Sequence, residues 1–378
     1  MKAGPPAPSS IVLLLGSYAP SLINFRGPLI ADLVASGHRV VAAAPNLDEG
    51  TRRLVAALGA EAREVPFSNA SLNPVDLLAG YQSVRRLIRE TKPTVLIAYT
   101  IKPVILGSLA GGGGRVKRVV ALVTGLGFSF TGGRELRRLA SRVAASILYR
   151  VALSKADVAL FQNEDDRRLF LKLRLIGSRK RTAIVNGSGI DLARFKLAGA
   201  GAPYSFLMIA RLLGDKGVRE YGWAAARLKA THPHARVALV GYLDPSPDSI
   251  SQAELDRMVA NGVEFLGRLD DVRPAIAACS VYVLPSYREG TPRSVLEAMA
   301  MGRAIITTDA PGCRDTVKDG ENGILIPPRD AGALYAAMLR FVETPGLAYP
   351  MGAASRRLAE DIYDVRKVNA DIMRHAGL

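Results

Sequence analysis

The chain has 378 residues, a length that favours two folded domains over one. Of these residues 49% are hydrophobic, which is enough for a large core. Its two cysteines, Cys279 and Cys313, are too few for a disulfide framework and lack the spacing of a metal site. The start of the chain, MKAGPPAPSS, is polar and proline-rich, and the apolar run after it, IVLLLG, is too short to span a bilayer. We therefore expect a cytoplasmic protein with no signal peptide and no transmembrane helix.

The positive charge of the chain is concentrated in its first half. Lys and Arg number 50 against 34 Asp and Glu, a net charge of +16. Residues 1–189 hold 27 basic and 12 acidic side chains, whereas residues 190–378 hold 23 and 22. A basic half attracts nucleic acid or an anionic membrane surface. Because the sequence has no RNA- or DNA-binding signature and only 6% aromatic residues, we expect no nucleic-acid partner.

Short apolar runs alternate with helix-like segments along the whole chain. In the first half they are 11–16, 39–45, 62–67, 94–100, 118–125, 158–163 and 181–187, and in the second half 204–212, 236–241, 263–268, 281–286, 304–309 and 323–328. Continuous apolar strands separated by helices are typical of parallel sheets covered on both faces. The sequence predicts an α/β protein with doubly wound, Rossmann-like domains at 1–190 and 204–350, joined by a Gly/Ala/Pro-rich linker at 191–203.

The stretch SYREGTPRSVLEAMAMG places a glutamate on each side of a predicted helix start. Gly290 frees the backbone, Thr291 is a good N-cap, and Pro292 suits the first helical position. Backbone N–H groups at a helix start form an anion site. The stretch therefore predicts a phosphate seat between Glu289 and Glu297. The alternative is a solvated Glu289 and a core Glu297 with its polar atoms satisfied.

Cations follow other predicted strands of the second half. Arg211, near the end of YSFLMIARL, and Lys216 bracket a glycine-containing turn. Arg268 ends the run VEFLGR, and Leu269 follows it. Ligands of doubly wound sheets bind beyond the carboxyl ends of the strands. Arg211 and Lys216 can neutralise a diphosphate. The alternative is that both are surface charges around a turn.

The cations Arg211 and Lys216, followed by EGTPRSVLE with its Glu-x7-Glu spacing, resemble the retaining glycosyltransferases of family 4. The similarity continues through AMAMGRAIITTDAPGCRDTVKDGENGILIPPRD and VNGSGIDLARF. It implies the GT-B fold, in which two Rossmann-like domains face each other across a cleft. It also suggests that a C-terminal helical segment, 351–378, returns to the first domain.

The resemblance implies roles for the matching positions. Glu297 would hold the ribose of a nucleotide, and Glu289 would contact the hydroxyls of the donor sugar. Arg211 and Lys216 would neutralise the diphosphate. The remaining donor-binding positions would be the N–H groups near Gly290, Thr291 and Arg293 and, at the nucleobase, Arg268 and Leu269. The nucleobase would be uracil, as is usual in this family.

The chemistry implied is transfer from a nucleotide-sugar without a metal ion or other cofactor. No Asp-x-Asp stands out at a strand end, and Arg211 and Lys216 can stabilise the departing diphosphate instead. No nucleophile is apparent, so front-face attack with the leaving phosphate as base, as proposed for the family, would retain the anomeric configuration.

The first half departs from the family at one position. Many members have a histidine after the fourth strand, where this chain has Thr100 and Lys102 in IAYTIKPVILGS. Lys102 therefore becomes a candidate for contact with the donor sugar or an acceptor phosphate. The alternative is a lysine that only caps a turn.

A narrower resemblance points to the acceptor. NFRGPLIADLVASGHRV, YTIKPVILGSLA and TGLGFSF are similar to the branch that adds N-acetylgalactosamine or related sugars to undecaprenyl-diphosphate-linked saccharides. Gly16 would then face the donor phosphate or the acceptor, and Ser17, Asn24, Arg26 and Thr100 would be acceptor-binding candidates. The first-strand turn, GSYAPS, lacks the Gly-x-Gly-x-x-Gly of dinucleotide sites.

A basic amphipathic segment at 132–157 is a candidate membrane contact. It interleaves Arg134, Arg137, Arg138 and Arg142 with apolar residues, a pattern that can lie in a headgroup layer. The alternative is an ordinary helix with solvated arginines. The charge excess of this half favours peripheral association with the inner face of the cell membrane.

The predicted function is thus a retaining, metal-independent transferase. It would move a hexose or N-acetylhexosamine from a UDP-sugar to a lipid-linked saccharide in cell-surface glycan or exopolysaccharide assembly. Two alternatives stay open: a nucleotide-sugar epimerase of the same fold, and a transferase with a soluble acceptor.

Overall fold

The computed structural model describes residues 10–67, 74–125, 136–344 and 346–378, of which 136–145 are described by their backbone only. It divides into two compact units, the first ending at Ser188 and including Val368–Leu378, the second formed by Gly189–Lys367. Among the described residues, no helix is both long and apolar enough to cross a membrane.

The first unit contains a parallel sheet of seven strands. They are β1 (Ile11–Leu15), β2 (Arg39–Ala44), β3 (Glu61–Glu64), β4 (Val95–Tyr99), β5 (Arg118–Val123), β6 (Val158–Phe161) and β7 (Thr182–Ile184). Their order is β3-β2-β1-β4-β5-β6-β7. Its helices are α1 (Ser21–Asn24), α2 (Gly27–Ala35), α3 (Glu49–Ala57), α4 (Pro74–Thr91), α5 (Ile101–Gly111), α6 (Leu136–Lys155) and α7 (Glu164–Lys172).

The second unit contains a parallel sheet of six strands. They are β8 (Ser205–Ile209), β9 (Arg236–Val240), β10 (Glu264–Phe265), β11 (Val281–Leu284), β12 (Ala304–Thr308) and β13 (Gly323–Ile326), in the order β10-β9-β8-β11-β12-β13. Its helices are α8 (Val218–Thr231), α9 (Gln252–Ala260), α10 (Arg273–Ala278), α11 (Arg293–Ala300), α12 (Ala331–Glu343) and α13 (Ala348–Ile362). The last helix, α14 (Val365–Ala376), starts in this unit and ends in the first.

Both sheets are covered on both faces, which explains the continuous apolar runs. In β1, Leu13 and Leu15 belong to one buried cluster, whereas Val12 and Leu14 belong to a second one. Every predicted run overlaps a strand, although β3 begins one residue before its run. The predicted pair of doubly wound, Rossmann-like domains is therefore confirmed.

The predicted domain boundaries differ from the units of the structure. The predicted linker, 191–203, lies within the second unit. The reason is a buried arginine, Arg303, whose guanidinium donates to the Cys279 carbonyl at 2.7 Å and to the Gly199 carbonyl. The Ala202 N–H also donates to the Ala278 carbonyl at 3.0 Å. Of the predicted returning segment, 351–378, only Val368–Leu378 belongs to the first unit.

The helical segment after β1 is divided into α1 and α2, and α2 begins at Gly27 with a proline in its first turn. One predicted helix start differs from the structure. In α11, Pro292 is the N-cap and not the first helical residue, because its backbone is extended (φ −72, ψ 105). Thr291 therefore lies one residue before the cap.

Candidate functional site

Each sheet reverses its strand order once, and ligands of doubly wound folds bind beyond the carboxyl ends of the strands at such a reversal. In the second unit the order reverses between β8 and β11. The Arg211–Lys216 segment follows β8, and Glu289 follows β11. The predicted cations and the first predicted glutamate therefore flank the reversal.

An ion pair joins the two strand ends. The Lys216 Nζ lies 2.6 Å from the Glu289 Oε1, and the two side chains are 16% and 17% exposed. Burial lowers the pKa of Lys216, but the carboxylates of Glu289 and Asp215 together outweigh this effect, so that the pKa lies above its usual value. A permanent cation is therefore held against a carboxylate at this edge.

Backbone contacts hold the two loops together. The Tyr287 N–H and the Ser286 hydroxyl donate to the Asp215 carbonyl at 2.8 and 3.1 Å. Gly217, at φ +72, could not carry a Cβ, because that atom would lie 2.2 Å from the Pro285 carbonyl oxygen. The close approach of the Lys216 turn to the β11 loop depends on this glycine.

A second glycine supports the Glu289 loop from the β12 side. Gly312, at φ +75, lies so close that an added Cβ would be 2.3 Å from the carbonyl oxygens of both Glu289 and Gly290. The Glu289 N–H also donates to the Pro311 carbonyl at 3.0 Å. The position of Glu289 is thus set by the loop after β12.

If Glu289 acts in catalysis, Gly312→Ala should displace it and lower kcat/KM about 100-fold, as misplacement by 1 Å can. Gly320→Ala is the matched control, because Gly320 has φ +76 but nothing within 4 Å of an added Cβ. It carries the same backbone strain without the collision and should keep normal activity. Equal activities of the two variants would contradict this role of Gly312.

The second glutamate lies on α11, which follows the Glu289 loop. Glu297 is paired with Arg293, whose Nε donates to Oε1 at 3.0 Å. Burial raises the pKa of Glu297, and the Arg293 guanidinium opposes this shift. Arg293 was predicted for its backbone N–H alone; the i,i+4 spacing in RSVLE could have indicated the side-chain pair. Gly290 is buried, and Thr291 is half-buried.

The remaining predicted donor residues lie on the β8, β9 and β10 side. Arg211 is half-exposed, and its Nη1 donates to the Asp244 Oδ2 at 3.2 Å. Arg268 is exposed, and its guanidinium carbon lies 5.5 Å from the centroid of the Tyr242 ring. Leu269 packs against the core of the unit. Sequence reasoning missed Tyr242 and Asp244, although both follow the apolar run of β9.

In the first unit, the strand order of the sheet reverses between β1 and β4, and polar residues again follow the two strands. The Thr100 hydroxyl, after β4, donates to the Ser17 Oγ, after β1, at 2.8 Å. Thr100 has φ 69 and ψ 162, a strained backbone conformation of the kind that clusters at functional sites. Gly16 lets the ring of Tyr99 approach, since an added Cβ would lie 2.3 Å from its hydroxyl oxygen.

Two predicted cations of this edge are buried. Arg26 is 2% exposed, with its guanidinium carbon 5.1 Å from the Tyr99 ring centroid. Lys102 is 4% exposed, and burial lowers its pKa while the Asp76 carboxylate opposes the shift. Asn24, the last residue of α1, is exposed. The structure thus buries two cations at this edge of the first sheet.

The predicted membrane contacts are not part of what the structure describes. Arg134 lies outside the described residues, and so do the side chains of Arg137, Arg138 and Arg142 on α6. In the described part of the chain, no group of three or more His, Cys, Asp or Glu residues could hold a metal ion.

Comparisons with known proteins give the family. Residues 26–187 match the family model "Glycosyl transferase 4-like domain", and residues 203–344 match "Glycosyl transferases group 1". The N,N'-diacetylbacillosaminyl-diphospho-undecaprenol alpha-1,3-N-acetylgalactosaminyltransferase of Campylobacter jejuni is 30% identical over 325 residues, 82% of this chain and 84% of the relative. The chain therefore belongs to this family of glycosyltransferases, and the predicted activity class is confirmed.

Two further proteins are similar over most of the chain. The UDP-Gal:alpha-D-GlcNAc-diphosphoundecaprenol alpha-1,3-galactosyltransferase of Escherichia coli is 24% identical over 69% of each chain. The crystal structure of HepE from Anabaena in complex with UDP-glucose superposes with a TM-score of 0.76 at 19% identity, covering 97% of this chain and 99% of the other. This likeness confirms the predicted GT-B fold.

Proposed function

We propose that the protein moves a hexose or N-acetylhexosamine from a UDP-sugar to a saccharide carried on undecaprenyl diphosphate, in the assembly of a cell-surface glycan or exopolysaccharide. The transfer would retain the anomeric configuration and need no metal ion. The observation that carries the proposal is the Lys216–Glu289 pair across the strand reversal of the second unit, 2.6 Å long.

The donor would bind along this strand edge. A diphosphate seated at the start of α11 would meet backbone N–H groups and the positive end of the helix dipole. Lys216 and Arg211 would neutralise its charge. Glu289 would accept hydrogen bonds from the sugar hydroxyls, and Glu297 from the ribose hydroxyls.

The chemical step breaks the bond between the anomeric carbon and the β-phosphate oxygen. Negative charge then develops on the diphosphate, and fixed cations lower the barrier most where charge develops. The acceptor hydroxyl would attack from the same face, and the departing phosphate oxygen would take its proton. This route retains the configuration without a protein nucleophile.

The acceptor proposal is supported by the Campylobacter jejuni and Escherichia coli relatives, both of which are named for a diphospho-undecaprenol or diphosphoundecaprenol substrate. The strand edge of the first unit, with Ser17, Thr100, Lys102 and Arg26, would face that acceptor. The excess of 27 basic over 12 acidic side chains in residues 1–189 suits an anionic membrane surface, where each basic residue contributes about 1 kcal/mol.

The test is incubation of the purified protein with radiolabelled UDP-sugars, bacterial lipid extract and excess EDTA, followed by partition into organic solvent. Label in the organic phase, with the product anomer unchanged from the donor, is the expected result. UDP release only with soluble saccharides would replace the lipid acceptor with a soluble one. Conversion of the UDP-sugar into its epimer without UDP release would replace the transferase with an epimerase.

We expect donor affinity to depend on the charge of Glu297. Burial raises the pKa of Glu297 above the 4.5 of an ordinary glutamate. As the pH falls, its carboxylate should therefore be protonated while most exposed carboxylates are still charged, and its hydrogen bonds to the ribose should weaken. Glu297→Gln should raise the Kd of the UDP-sugar about tenfold at pH 7, from the loss of charged hydrogen bonds. The measurement is UDP-sugar binding from pH 7.5 down to the lowest pH at which circular dichroism shows a folded protein. An equally steep loss of affinity in Glu297→Gln would contradict the assignment.

A further inference from the structure

An exposed aromatic ring stands at the carboxyl end of β9, outside the residues assigned above to the donor. Tyr242 is 41% exposed, although the strand before it is largely buried. Its ring faces the Arg268 guanidinium at 5.5 Å. A cation at this distance from a ring is attracted to its π face.

The backbone around Tyr242 is tied to both neighbouring strand ends. The Gly241 N–H donates to the Gly267 carbonyl at 2.9 Å, next to Arg268, and the Tyr242 carbonyl accepts from the Leu212 N–H at 3.1 Å, next to Arg211. Gly241 permits this, because an added Cβ would lie 2.1 Å from the Ala210 carbonyl oxygen. The ring is therefore held at a defined place between the two cation-bearing loops.

The loop after Tyr242 is ordered by its own polar contacts. The Asp244 carboxylate accepts from the Ser246 N–H at 2.9 Å and from Arg211 at 3.2 Å. The Ser249 hydroxyl donates to the Leu212 carbonyl at 3.3 Å. The backbone at Tyr242 is thus held by a short loop with hydrogen bonds of its own. A side chain on such a backbone is suited to positioning a neighbouring group.

We propose that Tyr242 is a positioning residue that holds the Arg268 guanidinium flat for stacking against the donor nucleobase. An exposed arginine loses much side-chain freedom when it binds a ligand. Packing against the ring restricts that freedom before the ligand arrives, so that less is lost on binding. The inference rests on the proposed function, since it requires a nucleotide at this edge.

The proposal predicts that Tyr242 affects binding of the nucleobase and does not affect binding of the diphosphate. Tyr242 acts on the base side through Arg268, whereas Lys216 and Glu289 lie across the reversal at β11. Removal of the ring should therefore weaken the binding of UDP while the binding of pyrophosphate stays unchanged. A general loosening of the loop would weaken both.

The experiment is calorimetric titration of the full chain with UDP and with pyrophosphate. Tyr242→Leu keeps the bulk and removes the π face, and should raise the Kd for UDP about tenfold. Tyr242→Phe keeps the ring and should bind like the wild type. Tyr349→Ala, which removes a tyrosine 72% exposed on α13, is the control for loss of a surface ring. Thermal melting of each variant confirms folding.

A double-mutant cycle completes the test. Because Tyr242 acts through Arg268, Tyr242→Leu should cost nothing further in a chain that already carries Arg268→Ala. Additive losses, an equal loss for pyrophosphate, or normal UDP binding by Tyr242→Leu would each overturn the inference. Failure of the wild type to bind UDP would instead overturn the proposed function.

Discussion

Lys216→Ala should lower kcat/KM of sugar transfer by about 10² to 10³, the usual effect of removing one group that stabilises developing negative charge. Lys216 is largely buried and paired with Glu289 at 2.6 Å, so its position is set before the donor binds. Because charge grows on the diphosphate as the bond breaks, the loss should fall mainly on kcat. Steady-state kinetics with the donor identified by the lipid-partition assay would measure it.

The control for Lys216 is another lysine of the same unit that is also paired with a glutamate. Lys318 lies 3.7 Å from Glu321, and both side chains are about three-fifths exposed (61% and 60%). Lys318→Ala should leave the kinetics unchanged, because exposed pairs contribute little. A loss of less than fivefold in Lys216→Ala would contradict the role in leaving-group stabilisation.

Lys216→Ala also removes the cation that contacts Glu289. The effect of this single variant therefore includes any change at Glu289. Glu289→Gln removes the charge and keeps the shape, and should reduce kcat through weaker contact with the donor sugar while UDP binding changes little. The double variant then tests coupling. Non-additive losses are expected, since the two side chains act as one unit.

The strands of both sheets could be predicted from the sequence because their residues are buried on both faces. IVLLL and VYVL have no polar face, so the runs are continuous and easy to delimit. The strand ends then indicated Arg211, Lys216 and Glu289, since parallel strands place their carboxyl ends along one edge. The approach of Lys216 to Glu289 agrees with that expectation.

Other contacts depend on how loops fold, which periodicity does not report. The Tyr242–Arg268 contact requires the register between β9 and the two-residue strand β10. Gly312 contacts the Glu289 loop from the loop after β12, and in the sequence it is one glycine among 36. The left-handed conformation and the 2.3 Å approach distinguish it only in three dimensions.

The predicted linker shows that a domain boundary, too, can depend on a contact that the local sequence does not indicate. LAGAGAP has the composition of a flexible connection, and nothing within it predicts burial. Its partner, Arg303, is 104 residues away from Gly199 and directly precedes the apolar run 304–309. Composition therefore predicted a linker where a long-range side-chain contact makes the segment part of the second unit.

Arg303→Met should destabilise the second unit by about 1 to 3 kcal/mol, the cost of leaving a buried hydrogen-bonding group without its partner. Arg303 is fully buried and donates to three carbonyl groups, those of Met301, Cys279 and Gly199. Methionine fills much of the space, yet it donates no hydrogen bond. The carbonyl oxygens would then lose their donor in a place that water cannot easily reach.

The measurement is denaturant unfolding followed by tryptophan fluorescence. The chain has one tryptophan, Trp223 on α8 in the second unit, so the signal reports the unit that contains Arg303. Arg340→Met, at an exposed position on α12 of the same unit, is the control and should change the free energy of unfolding by no more than about 0.5 kcal/mol. A free energy of unfolding for Arg303→Met within that margin would mean that segment 199–202 is held by its backbone contacts alone, and that Arg303 is not what joins it to the second unit.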